Sequence, residues 1–183
     1  MARTFVFQVQ TTLACPIDRT FAFFSDPVNL EAITPPWLKF RITSALPIRV
    51  REGTLIEYAL RIRGFPVRWK TRIAAWEPPH RFVDEQVSGP YTLWRHEHTF
   101  EPDPHDPGAT IMRDRVEYAF HGWWLSPLIN AVYVARDVKK IFDYRSRRTA
   151  ELLGPGPRTA ATPATEPVKT SDSAALTAGN HLE

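Results

Sequence analysis

From Trp37 to about Phe120 the side chains alternate between apolar and polar, which is the period of strands that bury one face. Short segments rich in glycine and proline interrupt this alternation at close intervals. These interruptions are Pro47, Arg51-Glu52-Gly53, Gly64-Phe65, Pro78-Pro79, Gly89-Pro90 and EPDPHDPG at residues 101–108. Strands joined by such short turns pair as hairpins, so the pattern predicts about six strands in antiparallel succession.

Other elements flank this stretch on both sides. Residues 3–14 alternate and predict one more strand, and residues 17–26 and 28–33 predict two short helices, each with a proline at its start. After residue 122 the apolar spacing becomes helical, with Ser126 as the N-cap and Gly154 as the closing glycine. The resulting helix would have about 26 residues and a length of ~39 Å. The predicted order is β-α-α-β-β-β-β-β-β-α.

The overall composition excludes several classes of protein. The 183-residue chain carries a formal net charge of +3, too small for the concentrated basic surface of a nucleic-acid-binding protein. The single cysteine, Cys15, excludes a disulfide framework and a CxxC zinc pair. No segment resembles a signal peptide or a membrane helix of ~18 apolar residues. We therefore expect a cytoplasmic protein with no stable membrane insertion and no cofactor, and its oligomeric state stays open.

The composition changes abruptly after Leu153. Residues 154–183 contain no aromatic side chain and are rich in proline, threonine, alanine, serine and glycine. Such a segment buries too little apolar surface to offset its ordering entropy. The sequence therefore predicts a folded domain at residues 1–153 and a disordered tail at residues 154–183.

Several segments are similar to one known superfamily. They are FAFFSDPVNLEAITPPWLKF, EGTLIEYALRIRGFPVRWKTRI, WEPPHRFVDEQVSGPYTLWRHEHTFE and ATIMRDRVEYAF. In amino-acid sequence and in order they resemble the SRPBCC superfamily, the START-like or helix-grip proteins that include polyketide cyclase/dehydrase-like and coenzyme Q-binding members. The resemblance spans about residues 3–152. It implies an α+β helix-grip fold, in which a seven-stranded antiparallel sheet wraps around a long C-terminal helix and encloses a mostly apolar cavity.

The Gly64-Phe65 turn gives an expected register for one hairpin. A two-residue type II′ turn there would pair Tyr58 with Thr71 and Leu60 with Trp69, so that the apolar side chains share one face. The opposite face would collect the basic side chains Arg61, Arg63, Arg68, Lys70 and Arg72. We interpret this basic face, and the basic helical segment KKIFDYRSRR at residues 139–148, chiefly as solvated surface.

Two histidines and one aspartate have the parity of the inner face. His96 and His98 alternate with outward-facing residues on one strand, and Asp114 has the inward parity on the next. A loop centred near His105 would place His96 opposite Asp114 and His98 opposite Met112. This predicts a buried His96–Asp114 pair. The facing of Asp84, Glu85 and Gln86 stays open, because a tight Gly89-Pro90 turn points Glu85 inward whereas a bulge points Asp84 and Gln86 inward.

Three roles fit the His96–Asp114 pair. It can lock the strand register as a structural pair, hold a ligand through hydrogen bonds, or act in acid/base catalysis with Asp114 orienting His96. The two histidines share a face and so could also bind a metal ion, but the sequence offers no clear third ligand. No metal site is therefore predicted.

Aromatic residues are dense in the predicted domain, and an interior lined with them suits flat or apolar ligands. The residues predicted to contact the ligand are Trp37, Tyr58, Trp69, Thr71, Trp94, His96, His98, Asp114, Tyr118, Trp123 and Tyr133. The first functional hypothesis is a non-catalytic binding protein for a lipid, polyprenyl or polyketide-like molecule. The second is a cyclase or dehydratase type of enzyme with His96 and Asp114 as its catalytic residues, and the third is a partner-binding module that uses the basic face.

Overall fold

A computed structural model describes residues 4–120 and 134–154 of the chain. Within them, seven antiparallel strands form one sheet in the order β1-β7-β6-β5-β4-β3-β2. The strands are β1 (Phe5–Leu13), β2 (Arg41–Ile42), β3 (Leu55–Ile62), β4 (Phe65–Glu77), β5 (Arg81–Ser88), β6 (Leu93–Asp103) and β7 (Asp106–Ala119). The helices are α1 (Ile17–Ser25), α2 (Pro27–Ile33) and α3 (Ala135–Leu153), with a single 3₁₀ turn at Pro36–Leu38. The predicted α+β helix-grip order is confirmed.

The helices begin and end where local chemistry requires. The carboxylate of Asp26 accepts a hydrogen bond from the backbone N–H of Val28, while Pro27 occupies the first position of α2. Gly154, at φ 98°, ends α3 in a conformation that side chains disfavour. The N-terminal part of the predicted long helix, including Ser126, lies outside the described residues. None of the described helices is long and apolar enough to cross a membrane.

The terminal helix packs across the inner face of the sheet. Phe142 of α3 contacts Phe7 of β1 with ring centroids 5.0 Å apart, and Ser146 of α3 lies within hydrogen-bonding distance of Thr11. β1 and β2 are the two edges of the sheet, and α1 and α2 connect them along the chain. The curved sheet, α3 and this helical connection together enclose the interior.

The register predicted for the β3–β4 hairpin is wrong by two residues. The turn consists of Arg63 and Gly64, both with positive φ (51° and 87°), as in a type I′ turn. Tyr58 consequently lies opposite Trp69 rather than Thr71. Because the error is an even number of residues, each side chain keeps its predicted face. Arg63 is the exception, since it occupies the turn.

The register predicted for the β6–β7 hairpin is also wrong. His98, not His96, lies opposite Asp114, and His96 lies opposite Val116. The cause is an irregularity between Pro102 and Asp103 beside a tight turn, which shifts the pairing relative to a regular loop centred near His105. The inward parity of the three polar side chains is unaffected.

Candidate functional site

A cavity of about 650 Å³ lies between the sheet and the described helices, and its lining is mostly apolar and aromatic. Of the predicted ligand contacts, Trp37, Tyr58, Trp69, Thr71, Trp94, His96 and His98 line it. Asp114 and Tyr118 are buried but do not line it, because the two histidines stand in front of Asp114 and Tyr118 packs among Phe5, Tyr91 and Trp94. Trp123 and Tyr133 lie outside the described residues.

A polar cluster of four side chains interrupts this apolar wall. Asp114 Oδ1 lies 3.0 Å from His96 Nε2 and 2.7 Å from His98 Nδ1. On the opposite side of the imidazoles, Asp84 Oδ2 lies 3.6 Å from His96 Nδ1 and 3.4 Å from His98 Nε2. Only the contact between His96 and Asp114 has the alignment of a hydrogen bond, and Nδ1 of His98 is left without an aligned partner despite its short contact. We call these four residues the His–Asp cluster.

Three adjacent strands bring the His–Asp cluster together. β5 supplies Asp84, β6 supplies both histidines and β7 supplies Asp114. Asp84 faces the cavity because β5 and β6 pair with Asp84 opposite His96, and the four residues between Ser88 and Leu93 replace a tight Gly89-Pro90 turn that would point Glu85 inward. The alternative with Asp84 inward is therefore the observed one, and two irregularities in the β4–β5 pairing accommodate it. The ring of Phe82 stacks on His98 with centroids 4.2 Å apart, which fixes that imidazole from the side of the core.

Burial and neighbouring charges shift the pKa values of the His–Asp cluster in opposite directions. Burial raises the pKa of both carboxyl groups, but the contacts and charges of the imidazoles outweigh it and hold the pKa of Asp84 and Asp114 below the usual range. Burial and the neighbouring His98 charge lower the pKa of His96. Burial also lowers the pKa of His98, yet the two carboxylates outweigh that effect and raise it. His98 is therefore the imidazole that holds a proton more readily.

A second polar group lies on β3 and β4. The Thr71 hydroxyl accepts a hydrogen bond from the Trp69 indole N–H at 3.2 Å and lies 2.8 Å from the Tyr58 hydroxyl. Burial, reinforced by the charge of Asp84, raises the pKa of Tyr58 far above its ordinary value. The hydroxyl is therefore a neutral group that can orient a ligand.

The rim of the cavity combines aromatic and charged side chains. Trp37 is 45% exposed and packs edge-on against Tyr144, and the ammonium of Lys140 lies 4.7 Å above its ring. The guanidinium of Arg63 makes a bidentate ion pair with Asp137 at 2.8 and 3.1 Å, which ties the β3–β4 turn to the first turn of α3.

Sequence reasoning missed Arg145, which lines the cavity near the rings of Phe24 and Phe142. Its Nε is buried without a hydrogen-bond partner among the described residues. The charge of the segment around it favours a solvated surface. The spacing Val138, Phe142, Arg145 nevertheless follows one helical stripe, and that stripe is the signal that could have identified it.

Comparison with known proteins establishes the fold. No protein-family profile matches the chain, and no curated protein sequence matches it. A solved structure from Chromobacterium violaceum superposes with a TM-score of 0.63 at 14% identity, covering 82% of this chain and 98% of that one. A START superfamily protein from Mycobacterium smegmatis superposes with a TM-score of 0.61 at 12% identity, covering 81% of this chain and 99% of that one.

A third solved structure is a norcoclaurine synthase point mutant from Thalictrum flavum in complex with a transition-state analogue. It superposes with a TM-score of 0.57 at 14% identity, covering 83% of this chain and 98% of that chain. The described part of the chain thus has the START-like helix-grip fold that the sequence resemblance to the SRPBCC superfamily implied.

Proposed function

We propose that this protein binds a small hydrophobic or aromatic molecule, of lipid, polyprenyl or polyketide-like character, inside the cavity. The observation that carries the proposal is the cavity itself, about 650 Å³ in volume and lined mainly by apolar and aromatic side chains. This size falls in the range of small-molecule sites. Few polar groups face the interior, so the ligand gains affinity mostly from apolar burial and orientation from the Tyr58 hydroxyl or the His–Asp cluster.

The fold comparison supports this proposal at a general level. The norcoclaurine synthase mutant was solved with a transition-state analogue, so a protein with this fold holds a small molecule. Fold alone does not carry a ligand or a reaction from one protein to another. The chemistry of the ligand is therefore argued from the cavity of this chain.

The binding test is a titration with the neutral apolar probe N-phenyl-1-naphthylamine, together with mass spectrometry of small molecules that copurify with the full chain. Leu60→Trp adds bulk to a residue that lines the cavity, and we expect it to weaken probe binding roughly 5- to 150-fold, since overpacking costs about 1–3 kcal/mol. The matched control is Phe65→Trp, because Phe65 is 74% exposed and lies outside the cavity lining. Equal binding by both variants, or none by the wild-type chain, would contradict the proposal.

A second candidate function is acid/base catalysis on the bound molecule, as in a cyclase or dehydratase. The observation that favours it is the hydrogen bond between Asp114 and His96, which fixes the tautomer of an imidazole at the cavity wall. With the copurified compound as substrate, His96→Gln should lower turnover by ~10²-fold or more if His96 transfers a proton. If the His96→Gln variant still binds the apolar probe and retains its turnover, His96 does not transfer a proton and the catalytic candidate is contradicted, while ligand binding stands.

The basic face gives less support to a partner-binding function. Lys70 pairs with Glu57 and Arg72 pairs with Glu85, so acidic neighbours already neutralise part of that surface. Arg63 is engaged with Asp137 at the rim instead.

A further inference from the structure

Three side chains of the His–Asp cluster line the cavity together and present donor atoms of the kind that bind metals. The donor atoms of Asp84, His96 and His98 all lie within 4.8 Å of one another. We propose that these three residues bind a divalent transition-metal ion such as Zn²⁺ or Fe²⁺ at the cavity wall. The sequence pattern offers no clear third ligand, and the inward-facing Asp84 supplies it.

The spacing of these atoms fits a shared ion better than direct hydrogen bonds. Asp84 Oδ2 lies 3.6 Å from His96 Nδ1 and 3.4 Å from His98 Nε2, and neither contact is an aligned hydrogen bond, for which about 2.9–3.0 Å is usual. Two ligands bound at ~2.0–2.2 Å to a tetrahedral ion are themselves separated by roughly 3.3–3.6 Å. Both Asp84–histidine distances fall at this separation, and the two histidine nitrogens lie within 4.8 Å of each other.

Asp114 behaves as the outer partner that metal-binding histidines use. It contacts the far nitrogen of each ring, 3.0 Å from His96 Nε2 and 2.7 Å from His98 Nδ1, and it does not line the cavity. A carboxylate behind a ligating imidazole fixes the tautomer and directs the lone pair of the other nitrogen toward the metal. Asp114 hydrogen-bonds His96 and closely contacts His98, and the remaining nitrogen of each ring lies on the side of Asp84.

The charge of the site also favours a cation. The Asp84 side chain is only 17% exposed, and the positive charge that compensates its carboxylate comes from the neighbouring imidazoles and Arg145. Arg145 acts on Asp84 electrostatically but forms no ion pair with it. Both imidazoles are neutral when they bind a metal ion, so the carboxylates of Asp84 and Asp114 then outnumber this one guanidinium and the cation offsets the remaining negative charge.

The donor set indicates the class of metal. Two imidazoles and one carboxylate suit zinc, iron and similar ions, whereas calcium and magnesium prefer oxygen ligands throughout. Three protein ligands leave a coordination position open, and here that position faces the apolar cavity. The inference goes beyond ligand binding, because probe binding in the cavity does not require the metal.

The test uses the full chain without a histidine tag, freed of metal by a chelator and titrated with Zn²⁺ by calorimetry near pH 7. We expect one Zn²⁺ per chain, with the X-ray absorption spectrum of the loaded protein showing two imidazole nitrogens in the coordination shell. Asp84→Ala and His98→Ala should each weaken Zn²⁺ binding by ~100-fold or more, and Asp114→Asn by ~10–100-fold. His80→Gln is the matched control, since His80 is an exposed histidine outside the cluster, and it should bind Zn²⁺ like wild type.

Two results would overturn the proposal. One is no stoichiometric Zn²⁺ binding by a wild-type chain that still binds the apolar probe, which would leave the cluster as a hydrogen-bonded network. The other is Zn²⁺ binding that survives Asp84→Ala and His98→Ala unchanged, which would place the ion elsewhere. A variant that fails to fold is replaced by the isosteric Asp84→Asn, whose weaker oxygen donor should also reduce Zn²⁺ affinity.

Discussion

At the scale of single residues, Thr71 is the hydrogen-bonding partner of two aromatic neighbours. It is 3% exposed, and its hydroxyl serves both the Trp69 indole and the Tyr58 hydroxyl. Thr71→Val keeps the shape but leaves those groups without a partner, so we expect the free energy of unfolding to fall by about 1–3 kcal/mol in urea titrations. Thr71→Ser retains the hydroxyl and should lose only ~1 kcal/mol for the missing methyl group. An equal loss in both variants would mean that packing alone matters there.

Two half-buried tyrosines reduce the stability of the fold at alkaline pH. Burial raises the pKa of Tyr58 and of Tyr91. In the folded chain both hydroxyls therefore keep their protons at pH values above the ordinary tyrosine pKa of ~10. Stability is therefore unaffected by these groups below pH ~10 and falls as the pH rises above it, because the unfolded chain then loses protons more readily. Spectrophotometric titration at pH ~11 should show less tyrosinate in the native chain than in the chain unfolded by denaturant. Tyr58→Phe should make the loss of stability with pH less steep.

The candidate site was only partly predictable from its residues. Strand parity alone places His96, His98 and Asp114 on the inner face, because alternation survives an error of two residues in register. Parity could not decide the facing of Asp84, which depends on the length of the β5–β6 connection and on irregularities in the β4–β5 pairing, and strand alternation reveals neither. The charge of Arg145 obscures its position, since a basic side chain within a strongly charged segment can still lie on the buried face of its helix.

At the scale of elements, the turn between β3 and β4 is set by backbone conformation. Gly64 adopts φ 87°, and no atom would obstruct a Cβ there, so a substitution acts through backbone strain alone. Gly64→Ala should lower the free energy of unfolding by about 1–2 kcal/mol, whereas Gly64→Asn should cost less because asparagine tolerates this region. Thermal unfolding of both variants measures the difference. Equal stability of alanine and asparagine at this position would contradict a left-handed requirement.

Element types were easier to predict than their connections. The period-two pattern and the capping signals predict the strands and helices, because alternation reflects burial along one strand and caps satisfy backbone groups at the ends of one helix. Both predicted hairpin registers failed, since a turn type depends on the positive φ of Arg63 in one case and on an irregularity at Pro102 in the other. Arginine is an unusual residue for a left-handed position, and its pairing with Asp137 accompanies that conformation.

At the scale of the whole molecule, the described contacts at the end of α3 come from Leu153 and Gly154. Leu153 packs on the cluster that contains Leu13 and Phe21, and the Gly154 carbonyl accepts a hydrogen bond from the Ala14 N–H at 3.4 Å. The composition of residues 155–183 predicts no further core contribution. We expect truncation after Gly154 to change the free energy of unfolding, measured by denaturant titration, by less than ~0.5 kcal/mol relative to the full chain. A loss above ~1 kcal/mol would show that the tail packs on the domain.

The pairing of β1 with β7 has a consequence for synthesis. Phe5 lies opposite Tyr118, so the first strand to leave the ribosome finds its partner only after more than a hundred further residues. At translation rates of about 10 residues per second, β1 waits roughly ten seconds with its backbone unpaired. Its sequence, FVFQVQTTL, carries no charge to discourage association with a neighbouring nascent chain. The yield of folded protein should therefore depend on how well a host shields this one strand, and a slower ribosome lengthens its exposure.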